Sequence, residues 1–226
     1  MNNWSSFLGD LFSLYPSILA GLAHTIELTI AVTISGFIAG IVLFFLNLSQ
    51  NLFIRIFAQG YISFFIGTPL IVLLFLMYYG LPQFGIRLSP FTVAFAGFTM
   101  NVAAYNAAYM TTAFNSLDYS EFEAARSQGF SESQVYLRII LPQVLYLSVP
   151  SLVNQAIANL KDSSIVFLIQ FNEFFAEVQD LAAYDFQFLK VYTFAAIVYM
   201  GLVAILVKCG KALEKRINIL FLGPAS

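Results

Sequence analysis

The chain has 226 residues, 60% hydrophobic and 10% charged, with a net charge of −2 and a mean hydropathy of +0.82. A soluble domain carries about 25% charged residues, so this composition leaves too little polar surface for a globule in water and calls for lipid as solvent. The charge excludes a basic nucleic-acid surface, the lone Cys209 excludes an internal disulfide, and the lone His24 offers no metal-ligand spacing.

Residues 4–15, with Trp4, Phe7, Leu8, Leu11, Phe12 and Tyr15, predict a short helix lying in the membrane interface. No Lys or Arg precedes Arg55, so the basic start of a cleavable signal peptide is missing. A spanning helix takes about 20 mostly apolar residues. Apolar runs predict about five, at 18–46, 54–80, 89–114, 135–170 and 188–209. These form a single membrane domain over 1–226, with its core at about 18–212.

The first span carries Gly36 and Gly40, a G-x-x-x-G that predicts close helix packing within the domain. His24, near its start, reads as interfacial packing. The third span places Asn101, Tyr105, Tyr109 and Thr112 on one face, with Asn106 beside it. The fourth spaces Ser151, Gln155, Asn159 and Asp162 in the same way, with Pro150 as a potential kink. Polar groups in a membrane face a cavity or one another, so two such stripes predict a shared path for water or substrate. The single amides, each taken alone, read first as hydrogen bonds between helices and second as ligand contacts.

Lys161 and Asp162 follow Pro142 by about 20 residues, or roughly 30 Å of helix, which puts them deep in the span or at its outer end. They can hold the two charges of a zwitterion, pair with each other, or leave Lys161 snorkelling to the headgroups. Segment 171–187, with Glu173, Glu177, Asp180 and Asp185, reads as a solvated outer loop or as a surface for an extracytoplasmic protein.

Placing the N-terminus outside puts Arg55, Arg126, Arg138, Lys208, Lys211, Lys215 and Arg216 inside and leaves Arg87, Lys161 and Lys190 outside. Seven against three favours N-out and C-in. Residues 118–142 then form an inner polar loop. Ser120 and Glu123 have the spacing of a capping box, Gly129 suits the left-handed residue that ends a helix, and Ser131 with Gln134 makes a second box. Phe130 can staple onto Val135. The expected pattern is helix, glycine break, helix.

Glu123, Ala124, Ala125, Gly129, Ile139, Leu141 and Pro142 fit E-A-A, three residues, G, nine residues, I-x-L-P. This resembles the EAA loop of bacterial ABC importer permeases. The resemblance implies that the loop is a coupling helix docking on a separate ATPase, with Phe122 as the bulky neighbour seated in a groove of that partner. Gly67-Thr68-Pro69-Leu70 through Tyr79-Gly80-Leu81-Pro82 is similar to the R-G-T-P-L…Y-F-G-L-P of the histidine/glutamine-type permeases for polar amino acids. Lys161-Asp162-Ser163-Ser164 resembles that group's K-D-T-S, and Gly21-Leu22-Ala23-His24-Thr25 its G-L-x-x-T. Ile66 stands where the family has Arg, Ala108 and Thr111 where it often has Glu and Arg, and Ser120-Glu121 where Gly-Gln is usual. These lost charges leave open whether a second, charge-bearing permease partners this chain.

The resemblance implies an all-α type I importer permease that moves polar amino acids and is not an enzyme. No P-loop is present, since Gly210-Lys211 lacks the upstream glycine and the following Ser or Thr. ATP-Mg therefore belongs to the partner. The implied partners are two ATPase copies, a second permease (homo- or heterodimer), an extracytoplasmic solute-binding protein and the bilayer, with no nucleic acid. The implied location is the bacterial inner membrane, multi-pass. No catalytic, cofactor or metal residue is expected in the chain itself. Candidate pathway residues are Asn101, Tyr105, Gln155, Asn159, Lys161, Asp162, Ser163 and Ser164. The rival is a self-sufficient secondary carrier or channel. Such folds often carry internal repeats, and no second EAA-like segment occurs.

Overall fold

A computed structural model describes residues 4–222, with the side chains of 4–6, 8, 10, 184–185 and 218–222 outside the description. Trp4 and Leu8 of the predicted interfacial set and Asp185 of the acidic segment fall among these. The described elements are helical: α1 Trp4–Ser13, α2 Tyr15–Asn47, α3 Leu52–Gly67, α4 Leu70–Phe84, α5 Pro90–Asn115, α6 Tyr119–Ser127, α7 Glu132–Ile169, α8 Phe174–Asp185 and α9 Phe188–Leu222.

Three of them are long and apolar enough to cross a membrane: α2, α7 and α9 over Phe188–Ile217. The pair α3–α4 is long and apolar enough only when taken together, and it is bent by 101° at the break. This corrects the expectation of one continuous helix over about 54–80. Pro69 has no N–H to donate and forces the residue before it out of the helical region. Thr68 accordingly sits extended at φ −103°, ψ 128°. The remaining predicted span, α5, is helical as expected, yet it does not meet the same apolarity. It lies at the centre, packed by α2, α3 and α7, so its polar side chains meet protein rather than lipid.

Gly36 and Gly40 let α2 approach α5. A Cβ on Gly36 would stand 2.5 Å from Val102 Cγ1, and one on Gly40 would stand 2.7 Å from Asn106 Cβ. The G-x-x-x-G thus packs inside the domain.

Two helices widen before a proline. Leu81 N–H reaches back to the carbonyl of Leu76, and Leu141 N–H to that of Tyr136, each spanning five residues. The next residues are Pro82 and Pro142. A proline ring clashes with the carbonyl four residues back, and one π-turn moves that carbonyl aside without ending the helix. The chain therefore runs unbroken from Glu132 to Ile169.

The solvated loop expected over 171–187 is instead mostly helix α8. Phe174, Val178 and Ala182 are fully buried and Leu181 is 1% exposed. Their spacing marks one apolar face. Glu173 is also fully buried and caps α8, accepting from Ala176 N–H at 2.9 Å. It accepts as well from Thr25 Oγ at 3.1 Å and Tyr199 OH at 3.3 Å, tying α2, α8 and α9 together. His24 meets the carbonyl of Asn172 at 2.7 Å, in keeping with a packing role.

Candidate transport path and coupling helix

The loop 118–142 folds as helix, break, helix, but with a different first cap. Asp118, not Ser120, starts α6: its Oδ1 accepts from Ser120 N–H at 2.9 Å. A carboxylate two residues ahead of Ser120 outcompetes the hydroxyl for the free N–H groups of the first turn, and it suits the helix dipole. The Ser120–Glu123 box is therefore not formed, and Glu123 is left exposed. Glu121 instead accepts from Gln143 Nε2 at 2.8 Å, linking α6 to α7. Gly129 ends the helix in the expected left-handed region at φ +85°, and two hydrogen bonds close it, Gly129 N–H to Arg126 O and Phe130 N–H to Ala125 O.

The second box is present as expected. Ser131 N–H donates to Gln134 Oε1 at 2.9 Å, and Ser131 Oγ accepts from Gln134 N–H at 3.4 Å. Phe130 stays 37% exposed. Arg126 pairs with Glu132 across the glycine, Nε to Oε1 at 2.7 Å. The hydrogen bond and charge of Glu132 hold the Arg126 guanidinium above its usual pKa.

The two sides of α6 differ sharply. Phe122 is 2% exposed and Ala125 6%, both inside a cluster with Phe44, Phe114, Val135 and Val144. Phe122 therefore anchors α6 to its own spans, contrary to the expectation that its side chain seats in a partner's groove. The opposite face carries Ser120, Glu123, Ala124 and Ser127, spaced as one helical stripe and all exposed. Leu141 and Pro142 are half-buried at the π-turn rather than on this face.

The polar stripes meet at a cavity of 500 Å³. Asn101, Tyr105 and Tyr109 of α5 face Gln155 and Asp162 of α7 across it. The third wall is the α3–α4 break, Gly67-Thr68-Pro69, whose extended backbone opens space that a straight helix would fill. Irregular backbone at membrane depth is tolerated where it lines a cavity. Asn101 donates to the carbonyl of Phe65 at 2.9 Å, one of those freed near the break. Tyr109 OH donates to Gln155 Oε1 at 3.3 Å, and Gln155 Nε2 to Asn159 Oδ1 at 3.0 Å.

Four of the expected pathway residues do not line this cavity. Asn159 is 3% exposed and stands behind Gln155. Ser163 and Ser164 return their hydroxyls to Leu160 O and Lys161 O, closing the end of the α-helical part of α7. Lys161 lines a separate cavity with Phe175, Tyr192 and Tyr199. Consecutive helical residues point about 100° apart, so Lys161 and Asp162 serve different cavities. Thr112 bonds its own helix at Ala108 O. The wall at Thr68 and Pro69 was missed as a lining element, although a Thr-Pro pair inside a 27-residue apolar run is a visible break signal. Among the described residues no group of three His, Cys, Asp or Glu is placed to hold a metal ion.

Apolar helices around a polar cavity, with a short polar helix packed against them through Phe122, define a membrane protein of the permease class. Residues 31–219 match the family of binding-protein-dependent transport system inner membrane components, and the chain belongs to it. It is 36% identical over 216 residues to the probable amino-acid ABC transporter permease PatM of Vibrio harveyi, covering 92% of this chain and 95% of that one. It is 34% identical over 205 residues to the arginine transport system permease ArtQ of Bacillus subtilis, covering 90% and 93%. A crystal structure of an amino acid ABC transporter with histidines superposes with a TM-score of 0.85 at 29% identity, covering 93% and 98%. A chain of the MetNI methionine ABC transporter shares the fold, with a TM-score of 0.75 at 16% identity, covering 91% and 98%. The protein is thus a multi-pass membrane permease subunit of an ABC importer, a transport subunit whose class works with a binding protein and a separate ATPase. The self-sufficient carrier reading is set aside by the same findings.

Proposed function

We propose that the chain forms the translocation path of a polar amino-acid importer. The observation that carries this is the 500 Å³ cavity, in which the Asp162 carboxylate, the Asn101 and Gln155 amides and two tyrosine hydroxyls converge inside an apolar bundle. A carboxylate suits the ammonium of an amino acid, and the amides suit its polar remainder. The amino-acid names carried by PatM and ArtQ support the same class.

The path opens alternately as ATP-driven closure of two ATPase copies moves α6 and the spans anchored to it. ATP-Mg is held by those partners. The exposed stripe Ser120, Glu123, Ala124 and Ser127 is the docking face, while Phe122, Ala125, Gly129, Leu141 and Pro142 hold it in place. The N-terminus lies outside and the C-terminus inside a bacterial inner membrane, and a second permease domain, a copy or a relative, completes the transporter. A solute-binding protein delivers substrate from the outer side.

The test is ATP-driven uptake of labelled arginine, histidine and glutamine by the complete transporter in proteoliposomes. Asp162→Asn abolishes uptake while the ATPase subunits remain bound. Full uptake in that variant removes the cavity from the path.

A further inference from the structure

The charges around the 500 Å³ cavity do not cancel. Asp162 is the single side chain in its wall that is charged at neutral pH; Thr68, Asn101, Tyr105, Tyr109 and Gln155 are polar and neutral. The adjacent cation, Lys161, lines the other cavity, beside Phe175, Tyr192 and Tyr199. Among the described residues no hydrogen bond or ion pair holds the Asp162 carboxylate. The wall therefore carries one negative charge with no cation in the same wall to pair it.

A charge withdrawn from water asks for an opposite charge. A neutral amino acid brings one ammonium and one carboxylate, so the filled cavity keeps the negative charge of Asp162. An acidic amino acid adds a second. An amino acid with a cationic side chain brings two positive charges and one negative, and the filled cavity is neutral. Donors for an additional carboxylate are also partly engaged. Asn101 donates to Phe65 O at 2.9 Å, Gln155 Nε2 to Asn159 Oδ1 at 3.0 Å, and Tyr109 OH to Gln155 Oε1 at 3.3 Å. The two tyrosines offer a second seat for positive charge. Their rings lie one turn apart on α5, with centroids at 6.2 Å and planes inclined by 38°. The face of such a ring attracts a guanidinium or an ammonium.

On the reading of this cavity as the path, we propose that it selects amino acids with a cationic side chain over neutral and acidic ones, and that Tyr105 and Tyr109 are specificity-determining residues. One cationic group of the substrate pairs with Asp162. The other lies against the tyrosine rings.

The test measures binding of labelled L-arginine and labelled L-citrulline to the permease–ATPase complex in lipid nanodiscs. The solute-binding protein is left out, because its own selectivity would mask that of the cavity. Citrulline keeps the length and planar end of arginine and lacks its charge. It is expected to bind at least about ten-fold more weakly, and L-glutamate more weakly still. Asp162→Asn is expected to weaken arginine at least about ten-fold more than it weakens citrulline, while Asp162→Glu keeps the preference and shows that the site tolerates substitution. Tyr105→Leu is expected to lower the arginine preference about two- to five-fold, the range of a cation–π contact. Citrulline binding as tightly as arginine in the parent, or both weakened equally by Asp162→Asn, would overturn the selection; loss of uptake in Asp162→Asn would then still support the path. Full uptake in Asp162→Asn, or no amino acid bound by the parent complex, would instead remove the path and the selection with it.

Discussion

Phe122 stacks on Phe114 with ring planes 2° apart and centroids at 6.3 Å. The contact joins the short polar helix to the central spanning helix. Phe122 and Ala125 form the buried side of α6, and Ser120, Glu123, Ala124 and Ser127 form its open side. Two neighbouring alanines of one motif therefore answer to different surroundings. Ala124→Trp leaves the permease folded and weakens ATPase binding at least ten-fold, as a bulky group in a well-packed interface core costs more than about 1.4 kcal/mol. Ala125→Trp overpacks the chain's own core and costs about 1–3 kcal/mol of stability. Pull-down of the ATPase together with thermal unfolding of the permease separates the two. Equal behaviour of both variants would remove the two-sided reading of α6.

Gly129 sits at φ +85° with open space around the position of a Cβ. Packing does not forbid a side chain there, and the backbone does. Gly129→Ala is expected to cost about 1–2 kcal/mol, the left-handed penalty for an L-residue. The cost falls on the α6 closure, so faster amide exchange at Phe130, whose N–H bonds Ala125 O, is the readout. Gly129→Asn, which tolerates that region, is expected to restore much of the protection.

Glu173 is wholly buried and accepts from Thr25, Tyr199 and the first turn of α8. Glu173→Ala orphans these donors, each costing about 1–3 kcal/mol, and lowers the unfolding temperature. Glu173→Gln keeps an acceptor in place and is expected to be the milder change. A Glu173→Ala protein as stable as the parent would mean that the tie contributes nothing.

Asp118 gives α6 a pH limit. The backbone N–H of Ser120 bonds its carboxylate and holds its pKa below the ordinary carboxylate value. The unfolded loop therefore binds the proton more tightly, and the cap's contribution is complete above the ordinary value. It is lost as pH falls through the lower, folded value, in the window below about 4. Exchange of the α6 amides is expected to rise on acidification there. In Asp118→Asn, which caps without titrating, the rise is expected to vanish.

The loop shows how far local pattern carries. Gly129 and the Ser131–Gln134 box fall where spacing puts them, because each depends on groups within a few residues. The first cap does not. Ser120 and Asp118 compete for the same free N–H groups, and a spacing rule read from Ser120 does not register the nearer carboxylate. The acidic segment misled in the same way. Glu173 looks solvated by charge alone, while Thr25 and Tyr199, 148 and 26 residues away, supply the hydrogen bonds that let it be buried.

Composition and periodicity by themselves determined that this chain lives in lipid, where its long apolar runs lie, and which loop is polar, because hydrophobic length and local capping are properties of short segments; the break at Thr68-Pro69 and the helix over Phe174–Asp185 were not read from them. Tertiary structure decided which side of each helix matters. Asp162 and Gln155 reach the cavity while Lys161, Ser163, Ser164 and Asn159 do not, and Ala124 is open while Ala125 is buried. Successive helical side chains point about 100° apart, so the choice among neighbours belongs to the helices packed around them, above all to the bend at Thr68-Pro69.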